Sequence, residues 1–202
     1  MTTQSIQHRL SSSPVLDVDS ATRLHARLVI EAFDRGLLDV SYRTVDSPIG
    51  SLLLAATPQG VVRVAFDCED HDHVLADLAA QVSPRILRAP SRLDDVARQL
   101  DEYFARRRQH FDVPLDWQLV AGFRLNVLTH LRDIAYGVTA SYASVAAASG
   151  SPRATRAVGS ACANNPLPLL VPCHRVVRSD GAVGNYRGGV EAKHTLLALE
   201  SM

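Results

Sequence analysis

The sequence has little of what a secreted or membrane protein needs. Its 202 residues include only three cysteines, an odd number and too few for a disulfide scaffold. No run of about 18 apolar residues is present, so no membrane-spanning helix is expected. The first twenty residues also lack the apolar core of a secretory signal. With 47% hydrophobic residues, the composition predicts a globular, cytoplasmic protein with reduced thiols and no membrane partner.

The net charge is also zero, because the sequence has 21 basic and 21 acidic residues. A zero balance argues against a protein that binds nucleic acid by charge alone. The charges are unevenly distributed, however: residues 120–202 carry eight of the Lys/Arg and four of the Asp/Glu, which leaves 13 against 17 in the rest. The C-terminal part is therefore expected to contact an anion, although an excess of this size can also arise by chance.

Turn residues and hydrophobic periodicity divide the chain into an N-terminal extension and two domains. The extension is predicted to contain a helix over 21–35 with Ser20 as its N-cap. Short apolar runs between Pro- and Gly-containing turns then predict a small antiparallel sheet with helices, including strands over 52–56 and 61–66. The remainder has mostly helical periodicity. The fold class is thus α+β, and the expected segments are residues 1–40, 41–117 and 118–202.

Two predicted helices joined by a short turn occur in the C-terminal domain. The first is expected to begin after Ser141, and the second to run over 152–163 with Ser151 as its N-cap and Pro152 in its first position. Such a pair is similar to a helix-turn-helix, but many helix pairs share the spacing. The pattern alone leaves DNA binding as one possibility.

The segment VPCHR places Cys173 beside His174. A cysteine reacts as its thiolate, and histidine is a suitable base. Neighbours on an extended strand point to opposite faces, so a contact between the two needs a turn at Pro172 or a relaying water. Glu200 lies on the same predicted helix face as Lys193 and would complete a Glu–His–Cys arrangement. On the residues alone, a frayed and solvated carboxylate two residues from the end is the favoured alternative.

Long stretches of the sequence resemble one known family. NPLPLLVPCHRVV, SDGAVGNYRGG and KHTLLALE are similar to the active-site region of the O6-alkylguanine-DNA alkyltransferases, also called methylated-DNA–protein-cysteine methyltransferases. SYASVAAASGSPRATRAVGSACANNP resembles the DNA-binding helices of that family, and DSPIGSLLLAATPQGVVRVAF resembles its N-terminal sheet. The resemblance spans about residues 41–200 and implies a ribonuclease H-like N-terminal domain followed by a winged helix-turn-helix-like domain. Residues 1–40 match no part of the pattern.

The resemblance implies repair of alkylated DNA by direct reversal. The protein would flip O6-alkylguanine, or O4-alkylthymine, out of double-stranded DNA and move the alkyl group irreversibly to its own cysteine, once per molecule. It would act as a monomer without a metal or organic cofactor, with cooperative assembly on DNA left open. Its location would be the cytoplasm, or the nucleoid if the protein is bacterial.

The resemblance also assigns catalytic roles. Cys173 would accept the alkyl group, while His174 would take the thiol proton through a water and Glu200 would orient the imidazole. Asn165 would brace the turn, and Tyr142 would protonate the leaving guanine. The implied catalytic set is Cys173, His174, Glu200, Asn165, Tyr142 and Lys193.

Two further sets follow from the same resemblance. Arg156 would fill the gap that the flipped base leaves, and Arg187 would be a bulky lid over the substrate pocket. The implied DNA-binding set is Arg156, Ser151, Arg153, Ala157, Gly159 and Arg124. The implied substrate-pocket set is Pro168, Val176, Tyr186, Arg187 and Gly188.

Other interpretations compete with this one. CEDHDH, at residues 68–73, combines a thiol, imidazoles and carboxylates, but it lacks the paired spacing of structural zinc sites. A solvated loop is therefore expected there, and no metal. A lesion sensor without catalysis is disfavoured because Cys173 is present. A Cys–His hydrolase would need an oxyanion hole and repeated turnover.

Overall fold

The computed structural model describes residues 17–201, which divide into two compact units, 17–37 and 38–201. The first unit is built around helix α1, Val18–Asp34. Asp17 is its N-cap, since the Asp17 carboxylate accepts a 2.6 Å hydrogen bond from the Ser20 amide. The predicted Ser20 cap is therefore wrong: aspartate three residues earlier satisfies the free amides of the first turn. Gly36 follows the helix with φ +63°, as a helix stop requires.

The second unit begins with a four-stranded sheet and its helices, which we call the sheet region. Its elements are β1 (Val40–Val45), β2 (Leu52–Thr57), β3 (Gly60–Phe66), α2 (His71–Gln81), β4 (Ile86–Arg88) and α3 (Asp94–Phe104). Strand order is β3-β2-β1-β4, with antiparallel β1–β2 and β2–β3 pairs. β4 pairs parallel to β1, because α2 carries the chain across the sheet. The sheet is therefore mixed rather than purely antiparallel.

Alternating side chains on the strands bury both faces of this sheet. Leu53 and its same-face neighbours pack in one cluster with Val74 and Leu78 of α2. Leu52, Leu54 and the residues opposite them belong to a larger cluster that also contains Cys173. The larger cluster joins the sheet region to the elements that follow, so this face of the sheet supports the candidate site.

The rest of the unit is mostly helical, and we call it the helical region. Its elements are α4 (Gly122–Leu131), β5 (Ala140–Ser141), α5 (Tyr142–Ala148), α6 (Thr155–Ala163), β6 (Val176–Val177) and α7 (Val190–Glu200). The two short strands pair in parallel. Within residues 17–201, no helix combines the length and the apolar character needed to cross a membrane.

The second helix of the predicted pair starts later than expected. Ser141 caps α5 as predicted, since its hydroxyl accepts from the Ser144 amide. Ser151 and Pro152 lie before α6 rather than at its start: the Ala154 amide donates to the Ser151 carbonyl at 2.8 Å and closes a turn. The predicted Ser151 cap is wrong, because this turn uses the Ser151 backbone before the helix begins.

The CEDHDH segment is exposed to solvent for the most part, as predicted, but it forms regular structure rather than a loop. Residues Asp67–Glu69 form a 3₁₀ turn, and α2 begins at His71. The Asp70 carboxylate caps α2 by accepting from the Asp72 amide at 3.1 Å. Over the described part of the chain, no group of three His, Cys, Asp or Glu side chains is arranged to hold a metal ion.

Candidate active site

Asn165 braces the loop that carries Cys173. Its amide nitrogen donates to the Val171 carbonyl at 3.0 Å and to the Cys173 Sγ at 3.2 Å, and its amide oxygen accepts from the Leu167 amide at 3.0 Å. Asn165 itself is only 1% exposed. Three contacts from one buried amide hold both ends of the loop, and they place the thiol at the start of a 3₁₀ turn over Cys173–Arg175.

The Cys173 thiol is protonated in the resting protein. It is 2% exposed, and burial raises its pKa to about 11, against the opposing effects of the Asn165 hydrogen bond and the Lys193 charge. Taking the thiol out of water disfavours the thiolate. The site must therefore supply a base before this sulfur can act as a nucleophile.

His174 has the properties of that base. The ring is fully buried, and burial lowers its pKa, so the imidazole is neutral at neutral pH. Its Nε2 lies 2.9 Å from Glu200 Oε1, which makes Nε2 the donor and leaves the Nδ1 lone pair free. Nδ1 is buried and has no hydrogen-bond partner within residues 17–201. Neither ring nitrogen is bonded to the Cys173 thiol, although the chain turns at this point.

Glu200 is buried, not solvated. Besides His174, it accepts hydrogen bonds from Arg175 Nε at 2.9 Å and Nη2 at 3.0 Å, from the Tyr103 hydroxyl at 2.6 Å and from the Gly137 amide at 3.3 Å. Burial alone would raise the pKa of this carboxyl, but the hydrogen bonds from His174 and Arg175 outweigh it and lower the pKa to about 2. The carboxylate is therefore ionised and has donors on both oxygens.

Sequence reasoning missed two of these partners. Tyr103 lies 97 residues before Glu200, on a helix of the sheet region. Nothing in its local pattern separates it from an ordinary core tyrosine. For Arg175 a signal existed: an arginine inside the apolar run VPCHRVV is expensive to bury without a carboxylate. Its side chain is 7% exposed, and Glu200 is the carboxylate that pairs with it.

Lys193 and Tyr142 surround the same loop. Lys193 is 1% exposed, and its Nζ donates to the Val176 carbonyl at 2.6 Å. Burial lowers the pKa of Lys193 and raises that of the half-buried Tyr142. Gly184 contacts Tyr142 closely, since a Cβ at Gly184 would lie 2.9 Å from the tyrosine hydroxyl. This glycine leaves room for the phenol, a role that the sequence pattern did not indicate.

The predicted pocket residues divide into two groups. Pro168 and Val176 are buried near the loop, and the Tyr186 ring packs edge-on against His174 with centroids 6.4 Å apart. The Tyr186 hydroxyl is buried and has no partner in the described part of the chain. Arg187 reaches the sheet region: its guanidinium bonds Glu69 and also donates to the Ala163 carbonyl at 3.4 Å. Against the larger effect of burial, its charge still lowers the pKa of Cys173 slightly, and its role as a lid stays a prediction.

The predicted DNA-binding residues are also separated. Arg153, Arg156 and Ala157 are exposed at the start of α6, where Ser151 and Gly159 are half-buried. Arg124 is different, because its Nη2 donates to the Leu119 carbonyl at 2.9 Å. It lines a cavity of about 430 Å³ that Arg63 and Arg187 also line. Arg124 is thus engaged with a neighbouring loop and is not an exposed cation like Arg156.

Comparison with known proteins gives consistent matches over most of the chain. Residues 40–117 match the family described as 6-O-methylguanine DNA methyltransferase, ribonuclease-like domain, and residues 122–202 match its DNA binding domain. A methylated-DNA–protein-cysteine methyltransferase of Mycolicibacterium paratuberculosis is 38% identical over 80% of this chain and 92% of its own length. The constitutive enzyme of that name from Bacillus subtilis is 38% identical over 79% of this chain and 94% of its own.

Solved structures agree with the sequence matches. The Mycobacterium tuberculosis O6-methylguanine methyltransferase superposes with a TM-score of 0.70 at 36% identity, over 80% of this chain and 93% of that one. Mycobacterium tuberculosis OGT in complex with DNA superposes with a TM-score of 0.68 at 36% identity, over 80% and 92% of the two chains.

Proposed function

Since this chain belongs to the methylated-DNA–protein-cysteine methyltransferase family, and is thus a DNA-binding methyltransferase of DNA repair, we propose that Cys173 accepts the alkyl group. The substrate is O6-alkylguanine in double-stranded DNA, and O4-alkylthymine is a second substrate. One observation carries the proposal: a buried thiol adjoins a neutral imidazole whose Nε2 is held by Glu200 and whose Nδ1 is free. We also propose that the chain divides into an N-terminal extension and two domains, residues 1–40, 41–117 and 118–202. The two family matches, which end at residue 117 and begin at residue 122, support the boundary between the domains.

The first step is removal of the thiol proton. With a pKa near 11, Cys173 holds its proton at neutral pH and needs a base. The free Nδ1 of His174 takes that proton through a water, because the two neighbouring side chains make no direct hydrogen bond. The ionised Glu200 stabilises the imidazolium that forms.

The second step is alkyl transfer. The Cys173 sulfur attacks the alkyl carbon, and the carbon–O6 bond breaks with its electron pair moving to guanine. Tyr142 donates a proton to the leaving guanine. The His174 imidazolium then returns a proton to Tyr142, so the net result is transfer of the thiol proton to guanine. The product thioether is a poor leaving group, which makes the reaction a single turnover. The thiol of Cys173, the imidazole of His174 and the phenol of Tyr142 thus carry out these steps.

DNA contact is assigned to the exposed start of α6. The target atom lies inside the base stack, so the nucleotide must rotate out before the thiol can reach it. Arg156, exposed on α6, enters the space that the base leaves. Gly159 presents no side chain, and a Cβ there would meet no atom within 4 Å, so α6 can approach the minor groove closely. Binding as a monomer is sufficient for these contacts.

Intact-protein mass spectrometry tests the proposal. After incubation with a duplex containing O6-methylguanine, each molecule is expected to gain the mass of one methyl group, located on the peptide that contains Cys173. Repeated turnover would instead indicate a hydrolase. An unchanged mass under reducing conditions would show that Cys173 is not an acceptor.

Arg156→Ala is expected to slow repair of duplex DNA by roughly 10- to 100-fold, because flipping costs a few kcal/mol that the inserted side chain offsets. Reaction with O6-methylguanine as a free base needs no flipping and should keep the parent rate. Single-turnover rates on both substrates measure the difference. Arg107→Ala, which removes another exposed arginine, from the sheet region, is the matched control. Equal losses on duplex and free base would refute the role of Arg156.

A further inference from the structure

The segment that carries Tyr186 has no regular secondary structure. It connects β6 to α7, and residues 178–189 contain turns but no helix or strand. Tyr186 nevertheless packs against His174, next to the acceptor thiol. A loop of this kind keeps one position only if other contacts hold it. Those contacts therefore determine whether the Tyr186 ring stays packed against His174.

The strongest of these contacts is ionic and comes from the sheet region. Glu69 Oε2 accepts hydrogen bonds from both Arg63 Nη2 and Arg187 Nε, while Glu69 Oε1 accepts from the Phe66 amide at 2.9 Å. The side chains of Arg63 and Glu69 are each 8% exposed, whereas that of Arg187 is 33% exposed. One buried carboxylate thus holds two guanidiniums, and the two differ in their access to water.

Neighbouring residues fix the same loop. The Cys68 thiol donates to the Arg187 carbonyl at 3.5 Å. The Tyr186 ring packs edge-on against Phe66 with centroids 5.4 Å apart. Gly188 lies so close to Phe66 that a Cβ there would be 2.7 Å from the ring. The loop therefore rests on the end of β3 and the 3₁₀ turn that follows it, with Glu69 as the charged contact.

We infer that Glu69 is a positioning residue of the alkyl-transfer site, acting through Arg187 to hold Tyr186 beside His174. This inference rests on the proposed function and adds to it a contribution from the sheet region. Without the carboxylate, the partly exposed Arg187 keeps only the long 3.4 Å hydrogen bond from its Nη1 to the Ala163 carbonyl, and we expect its side chain to turn toward solvent and release the loop. Arg63 is buried and stays in place. Because Tyr186 packs against His174, we expect the held loop to limit the room beside the thiol, so that Glu69 favours small alkyl groups over bulky ones.

The difference between Arg63 and Arg187 separates positioning from general stability. Arg187→Gln removes the tether but leaves the buried Arg63–Glu69 pair intact, so it preserves the fold. Glu69→Gln removes both pairs and leaves Arg63 without its carboxylate, at a cost in stability. If Glu69 acts through Arg187, the two substitutions affect the same step and their effects on the rate will not add.

The test uses Glu69→Gln, Arg187→Gln, the double variant and a control. Asp94→Asn is the control, because it breaks another Arg–carboxylate pair of the sheet region, with Arg43 at 2.6 Å. At saturating methylated duplex, each single variant is expected to transfer methyl roughly 10- to 100-fold more slowly, as losses of supporting contacts do. The double variant should be no slower than the slower single one. DNA affinity should not change, and amides of residues 182–189 should exchange faster in both single variants but not in the control.

Alkyl size provides a second measurement. In both single variants the rate with O6-benzylguanine should fall less than the rate with O6-methylguanine, because the released loop opens the space beside the thiol. Parent rates in Arg187→Gln, additive losses in the double variant, or unchanged exchange of 182–189 would each overturn the inference. Failure of the parent chain to take up methyl would instead overturn the proposed function, and the exchange data would still test the tether.

Discussion

Replacing Cys173 with serine is expected to abolish methyl transfer while methylated duplex DNA is bound as before. A serine hydroxyl is far less acidic than a thiol, and the burial that already raises the pKa of Cys173 to about 11 would act on the hydroxyl too. The neutral imidazole of His174 cannot ionise such a group to a useful extent. Asn165 Nδ2, now 3.2 Å from the sulfur, can donate equally to a hydroxyl, so the loop is expected to keep its shape.

Intact-protein mass and a duplex-binding titration measure the two halves of this prediction. Cys162→Ala is the matched control, because Cys162 is also buried and burial raises the pKa of its thiol well above the ordinary value. It should still gain one methyl. If the serine variant gained a methyl and Cys162→Ala did not, the acceptor would be Cys162.

Glu200→Gln is expected to lower the free energy of unfolding by about 3–5 kcal/mol, since it leaves the buried Arg175 without a counter-charge. The side chains of Arg175 and Glu200 are 7% and 2% exposed, so water cannot replace the lost carboxylate. Transfer should slow as well, because the imidazolium of His174 loses the charge that stabilises it. DNA binding should remain, since Glu200 faces the interior and not the exposed start of α6.

Chemical denaturation and single-turnover kinetics check these effects. Glu191→Gln is a suitable control, because it removes an exposed carboxylate from the first turn of the same helix and should cost less than about 1 kcal/mol. Parent stability in Glu200→Gln would show that Arg175 is not dependent on this carboxylate. A parent transfer rate would show that the proton path does not include Glu200.

The pH dependence of stability follows from the same carboxylate. In the folded protein the pKa of Glu200 is lowered from 4.5 to about 2. A lowered folded-state pKa contributes stability that is complete above the unfolded value and is lost as pH falls through the folded one. The parent should therefore lose stability between about pH 4.5 and 2 more steeply than Glu200→Gln does. Parallel curves in that window would contradict the assignment.

Burial explains why His174 is neutral beside a carboxylate. It lowers the pKa of the imidazole more than the Glu200 hydrogen bond and charge raise it, and the nearby charge of Arg175 lowers it further. The imidazole is therefore neutral before the reaction and able to accept the thiol proton. Its orientation is fixed by the hydrogen bond between Nε2 and Glu200.

Local patterns were sufficient for much of the fold and for the centre of the site. Apolar runs between Pro and Gly turns placed β2 and β3 to within two residues, and Ser141 was recognised as a cap because a side chain meets amides three residues away. The adjacency of Cys173 and His174 showed that direct contact on an extended strand was impossible and that a turn or a water was needed, and a turn is present. A helical period of 3.6 put Glu200 on one face with Lys193, but its burial did not follow from the residues alone. These features depend on residues close together in the chain.

Only the tertiary structure decided which distant groups meet. Tyr103 reaches Glu200 across 97 residues and Glu69 holds Arg187 across 118, and neither pair leaves a periodic signal in the sequence. The sequence by itself determined that Cys173 and His174 adjoin and which local elements surround them, because period, caps and turns act over a few residues. The packing of the sheet region against the helical region determined the charge balance around Glu200 and the position of the Tyr186 loop, because a buried charge is stable only where the fold brings its partner.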